Sequence, residues 1–244
     1  MKQVLLTAML AAMAFASFAQ ESDKKEESTY YLDISVGYNI SLPPFSNAKT
    51  DAVFLKPRSG GSMSFGFVRK ITDEWGLQVE VLTTTFKVKD SDLADAYGSG
   101  VTLSKIDIDP YRSTFFGVGG VTFLPIMRHL TFDVKGSVGI NLVEFAKQNF
   151  NKLSQTGNVQ TMTVSAKRSL APGALLGARL RYPIGESVDI GIKVEYGISF
   201  AKFTDVQRRD TSSLIPEEQI SESLPNEKKT VSYLNTGLTL GLRF

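Results

Sequence analysis

The chain has one histidine and no cysteine among its 244 residues, so acid, base and nucleophilic chemistry have little to work with. His129 sits in a short turn that begins at Pro125, and it reads as a polar residue at an interface. The acidic groups Asp90-Ser91-Asp92 and Glu217-Glu218 lack the convergent spacing of a calcium loop and read as solvated loop. None of the glycines leads into a helix bearing the lysine of a phosphate-binding loop. These residues point to no catalysis, no metal site and no cofactor. A different set is ordered. Asp33, Glu80, Asp133, Asp189 and Glu195 fall at alternating positions among apolar neighbours, and so do Lys135, Arg179, Arg181, Lys193 and Arg243. The signs in this set balance, which is what a closed interior requires of the charges it holds.

The segments that carry these charges have a two-residue period. In the last one, Val231 to Phe244, Leu234, Leu238, Leu240, Leu242 and Phe244 fall on one face, with Tyr233, Asn235, Gly237, Thr239, Gly241 and Arg243 on the other. From Tyr31, the residues Leu32, Ile34, Val36, Tyr38 and Ile40 alternate with Asp33, Ser35, Gly37, Asn39 and Ser41. That run is about 11 residues, the length a tilted strand needs to cross a bilayer. Further strands are expected over about 61–69, 75–86, 113–124, 130–142, 173–182 and 188–200, eight in all. In the fourth, Phe116, Val118 and Leu124 are set outward, although Gly117, Gly119 and Gly120 blur the alternation.

Connections alternate in length. Long polar ones, about 43–59, 87–110, 145–168 and 202–229, follow the odd-numbered strands, and short turns follow the second, fourth and sixth. All long loops then lie at one end, a segregation that a soluble sandwich has no reason to make. An even strand number lets first and last strands pair antiparallel, which removes open edges. Outward charges would cost about 2–4 kcal/mol for each basic group at mid-depth in hydrocarbon, so the apolar faces are expected outside. Aromatic girdles follow: Tyr31, Phe67, Trp75, Phe123, Tyr182 and Phe244 at the short-turn end, and Tyr38, Phe86, Phe145 and Phe200 at the other. Inside, Arg181 is expected opposite Asp189 and Arg243 near Asp33, with inward glycines such as Gly177 and Gly197 making room. An interior of eight strands is just wide enough for side chains to fill, so a plugged, salt-bridged barrel is expected and an open pore is not.

At the start, Lys2, the apolar run Val4 to Phe18 and Ser17-Phe18-Ala19 predict a signal peptide over 1–19. A charged lead-in over 20–29 and a barrel domain over 30–244 are expected after it. No later stretch of about 20 apolar residues could span a membrane as a helix. A formal charge of +2 on an exported chain suggests no nucleic-acid partner. Mean hydropathy is −0.04, which a barrel tolerates because every second residue is polar.

The closing run with Leu238, Leu240, Leu242 and Phe244 resembles the carboxy-terminal signature of bacterial outer-membrane barrels. That resemblance implies that barrel assembly machinery reads these residues. With leader, strands and loop lengths added, the chain is similar over about Tyr30 to Phe244 to small barrels of the OmpA and OmpX type. More narrowly it resembles outer-membrane β-barrel-domain proteins of Bacteroidetes, porin-like or PorT-like. The resemblance implies an all-β, eight-stranded antiparallel up-and-down transmembrane barrel with short periplasmic turns and long extracellular loops, set among outer-membrane lipid and lipopolysaccharide. It implies a non-enzymatic part in envelope integrity or surface interaction, with a protein partner at the extracellular loops. PorT-like members imply an accessory role in protein secretion, and transport of small or hydrophobic solutes is a further alternative. Enzymatic small barrels, the lipid A palmitoyltransferases and deacylases, carry His and Ser or Asp toward the outer leaflet, whereas His129 falls at the other end.

Overall fold

A computed structural model describes residues 30–46, 54–97, 102–127, 129–153, 159–212 and 219–244. The expected signal peptide and lead-in, and Glu217-Glu218, lie outside the described residues. Eight strands close into one barrel: β1 (Tyr30–Ser41), β2 (Gly60–Lys70), β3 (Trp75–Phe86), β5 (Tyr111–Met127), β6 (Leu130–Glu144), β9 (Ser169–Ile184), β10 (Val188–Phe203) and β13 (Glu227–Arg243). They neighbour one another in chain order, every pair is antiparallel, and β13 returns to β1. The eight-stranded up-and-down barrel expected from the periodicity is therefore the fold. Among the described residues no helix is long and apolar enough to cross a membrane.

Tight turns at one end set the register. Between β2 and β3 the Ile71 and Thr72 amides both donate to the Trp75 carbonyl, and the Thr72 hydroxyl accepts from the Trp75 amide. Between β9 and β10 the chain reverses at Gly185, whose φ of 77° is a conformation that suits glycine. The seam is regular from end to end, Tyr31 opposite Arg243 through Ser41 opposite Tyr233. The Phe244 and Tyr30 backbones exchange a pair of hydrogen bonds at 3.0 and 3.1 Å.

A period of two then sorts the side chains. Val118, Val138, Leu176, Ile192 and Leu238, on five different strands, are 58–65% exposed, while Asp133, Glu195 and Asn141 on the same strands are at most 1% exposed. Phe116, Val118 and Leu124 face outward on β5, as the alternation around its glycines indicated.

The long connections are not the irregular polar loops that their composition suggested. Those after β3, β6 and β10 fold into a second sheet of five strands, in the order β12 (Gln219–Leu224), β11 (Val206–Ser212), β8 (Val159–Ser165), β7 (Gln148–Leu153) and β4 (Thr102–Ile108). A helix, α1 (Asp90–Tyr97), packs beside it. Phe150, Met162, Leu55 and Leu93 form the sheet's own small core, while Asn149, Asn151, Thr161 and Thr163 take the other face. With so few apolar residues per strand, the alternation is hard to see in the sequence. The barrel strands are also longer than expected: β5 has 17 residues and runs through Pro125, and β13 has 17. A bilayer needs only about 9–11, so the barrel wall continues beyond the apolar belt toward the sheet.

Candidate functional site

The inward faces stack in layers along the barrel axis. Nearest the short turns, Tyr31, Val68, Val121 and Phe123 form an apolar floor. The Arg181 guanidinium lies over both rings, 5.0 Å from the Tyr31 centroid and 5.3 Å from that of Phe123. Above the floor is a layer of arginine and aspartate. Arg179 of β9 pairs across the lumen with Asp33 of β1, and binds Asp133 at 2.7 Å. Arg181 binds Asp133 at 2.6 Å and Asp189 at 3.0 Å. Arg243 reaches Asp189 at 3.4 Å and donates to the Gly185 carbonyl at 2.9 Å.

A second layer uses lysine and glutamate. The Lys135 ammonium sits 2.6 Å from both Glu80 of β3 and Glu195 of β10, and Lys193 binds Glu195 at 2.8 Å. Gly177 makes the room, since a Cβ there would stand 2.9 Å from the Glu195 Cγ. Hydroxyls and amides complete the shell: Ser137 donates to Glu80, Asn235 donates to Glu195 and Lys193 donates to Ser64. Each layer is balanced by itself, three arginines against three aspartates and two lysines against two glutamates. The cavity between the layers is about 20 Å³, room for roughly one water.

Toward the long-loop end the lumen turns neutral and then apolar. Ser113, Asn141 and Ser199 form a hydrogen-bonded chain across it. Over that sits an aromatic lid of Phe45, Phe54, Phe86, Tyr111, Phe145, Phe203 and Tyr233, all buried and packed edge to face. Lys229 covers the lid with its ammonium 4.6 Å from the Phe54 centroid. The interior therefore holds side chains from floor to lid.

Several expectations are corrected. Tyr31, Phe123, Phe86 and Phe145 are not girdle residues but point inward. The first three share the parity of Asp33, Val121 and Glu80, so their faces were fixed by position, while Phe145 lies past the end of β6 and folds over the mouth. Phe67, Trp75, Tyr182 and Phe244 do stay on the outside at the short-turn end, where Tyr30, Phe67 and Phe244 stack. Tyr38 and Phe200 are exposed toward the other end. Arg243 pairs with Asp189 and not with Asp33, because it stands opposite Tyr31 while Asp33 stands opposite Gly241. Arg181 stands opposite Gly191 and reaches diagonally to Asp189.

Asp92 is no solvated loop residue: it is buried in α1 and its carboxylate takes two hydrogen bonds from Arg58, at 2.7 and 3.3 Å. Those bonds hold the Arg58 guanidinium above its ordinary value. Most of the lid was not foreseen from the sequence, although Tyr233 falls on the inward face of the closing strand. The serine and amide shell stands where the alternation sets it, since Ser64, Gln78, Ser137 and Asn235 have the same parity as the charges and are buried with them.

His129 sits in the turn between β5 and β6 with its ring 6.5 Å from that of Tyr182. Among the described residues no group of three or more His, Cys, Asp or Glu could hold a metal ion. Leu238, Leu240, Leu242 and Phe244 form one exposed outward stripe on the closing strand and its end. Chemically, the interior can fix strand register and block passage.

No protein-family model matches the sequence, and no curated protein matches it either. Solved structures with a similar course include Neisserial surface protein A, at 12% identity over 89% of this chain and 98% of that one, with a TM-score of 0.45. Ail, the attachment invasion locus protein of Yersinia pestis, is 15% identical over 90% and 100%, with a TM-score of 0.42. A major outer membrane protein from Thermus thermophilus is 13% identical over 88% and 99%, with a TM-score of 0.48.

Proposed function

We propose that the chain is a non-enzymatic integral barrel of a bacterial outer membrane that works through the sheet at its long-loop end. One observation carries this reading: the apolar side chains ring the outside of a closed barrel and, among the described residues, nothing packs over them, while the ion-paired layers are inside. Water would leave that belt unburied, whereas hydrocarbon is its natural solvent, and the closed ladder leaves no backbone group for lipid to strand. The short turns then face the periplasm and the folded sheet faces outward, where it supports envelope integrity or meets surface partners. Leu238, Leu240, Leu242 and Phe244 serve as the stripe read during assembly, and the interior charges serve structure. A leader over 1–19 delivers the chain.

A secretion accessory role, of the kind the PorT-like resemblance implies, would use the same outer sheet. Fractionation tests the main reading: the protein should stay with outer membranes through a carbonate wash and need detergent to dissolve. A freely soluble mature chain would refute it. Co-purification of a secretion complex, lost on deleting residues 148–165, would select the accessory role.

A further inference from the structure

We infer that a row of basic side chains on the outer wall, at the rim next to the loop sheet, binds the phosphate of a phosphorylated lipid headgroup. The inference rests on the membrane reading above. The row crosses five neighbouring strands: Arg112 at the start of β5, Glu144 at the end of β6, Arg168 just before β9, Lys202 near the end of β10 and Lys228 near the start of β13. Each has the parity of an outward residue on its own strand, in line with Phe116, Ile140, Leu170, Phe200 and Leu238.

Register brings the members together. Arg112 stands opposite Glu144, and Val143 opposite Ser169 sets Glu144 beside Arg168. Glu144 lies 2.9 Å from Arg168 and 4.0 Å from Arg112, so one carboxylate is shared by two guanidiniums. Lys202 stands directly opposite Lys228. Neither ammonium has a carboxylate within ion-pair distance among the described residues. Two ammoniums without a carboxylate, next to Arg168, make this strip of wall cationic.

Like charges directly across a ladder repel, and an anion seated between them turns that cost into attraction. Guanidinium and ammonium donors side by side suit the oxygens of a phosphate monoester. The choice of a lipid over a free ion comes from what lies just below the row. Leu170 and Phe200 are 70% and 59% exposed there, and acyl chains attached to the bound headgroup would cover them.

The test uses the full mature protein in a neutral detergent. Native mass spectrometry reads lipid retained from phosphatidic acid, from phosphatidylcholine with the same chains, and from phosphatidic acid with an equal concentration of inorganic phosphate. The wild type should keep phosphatidic acid in preference to phosphatidylcholine, and the inorganic phosphate should not displace it. Replacing Arg168, Lys202 and Lys228 by glutamine should weaken retention by roughly fivefold per side chain removed. The variant Lys70→Gln, at the short-turn end, should leave it unchanged. If the triple variant does not fold, K228Q alone serves as the readout.

Equal retention by wild type and variants, or no preference for the phosphomonoester, overturns the inference. Displacement by free phosphate at equal concentration overturns the lipid assignment. These results are separate from the membrane reading, which fails only if the protein needs no detergent.

Discussion

Asp133 shows what a single interior residue holds. Its carboxylate accepts from both Arg179 and Arg181 and is 1% exposed, so truncation leaves two guanidiniums with one fewer partner in a dry place. Asp133→Ala should cost about 3–5 kcal/mol, the range for breaking a buried pair from one side. Urea unfolding of the detergent-solubilised protein measures it, and a loss under about 1 kcal/mol would show that the layer is dispensable. Gly197 tests the opposite limit. A Cβ at that position would collide with the Tyr233 ring of the lid, and no flexible tail is available to move aside. Gly197→Val should therefore destabilise by about 1–3 kcal/mol or prevent assembly, read in the same unfolding assay.

At the scale of elements, the barrel and the loop sheet have different supports. The barrel strands close on themselves, whereas the sheet depends on Phe150, Met162, Leu55 and Leu93 and on the Arg58–Asp92 pair under α1. Placing a charge in that small core, as in Met162→Asp, should melt the sheet and leave the barrel standing. Limited proteolysis would then cut between residues 144 and 169 while the barrel strands resist. Joint loss of both would mean that the two sheets fold as one unit. This division also explains what the sequence revealed. A strand wetted by lipid on one side and polar on the other writes a strict alternation, as Leu32, Ile34, Val36 and Leu238, Leu240, Leu242 do. A strand such as β7 buries one hydrophobe, Phe150, beside a buried Gln148, and its Asn, Gln and Lys residues read as loop. The interior charges were legible because parity fixes their face. Their partners were less so, since pairing follows register and reach across the lumen, and Arg243 therefore found Asp189 instead of Asp33.

For the molecule as a whole, floor, charge layers and aromatic lid lie in series along one axis, and the gap between the charge layers is about 20 Å³. Purified protein in planar bilayers should give no steady large conductance steps, and recording them would contradict a filled interior. The ion pairs have a further consequence for assembly. Arg179 meets Asp33 from a strand three positions away around the wall, and Lys135 meets Glu80 and Glu195 each two positions away. Both Lys135 pairs lie within the span from β3 to β10, whereas Arg179 and Asp33 sit on opposite sides of the closing strand. When β13 takes its place between β10 and β1, it therefore brings Asp33 within reach of Arg179, so closing the wall and completing the arginine layer are one event.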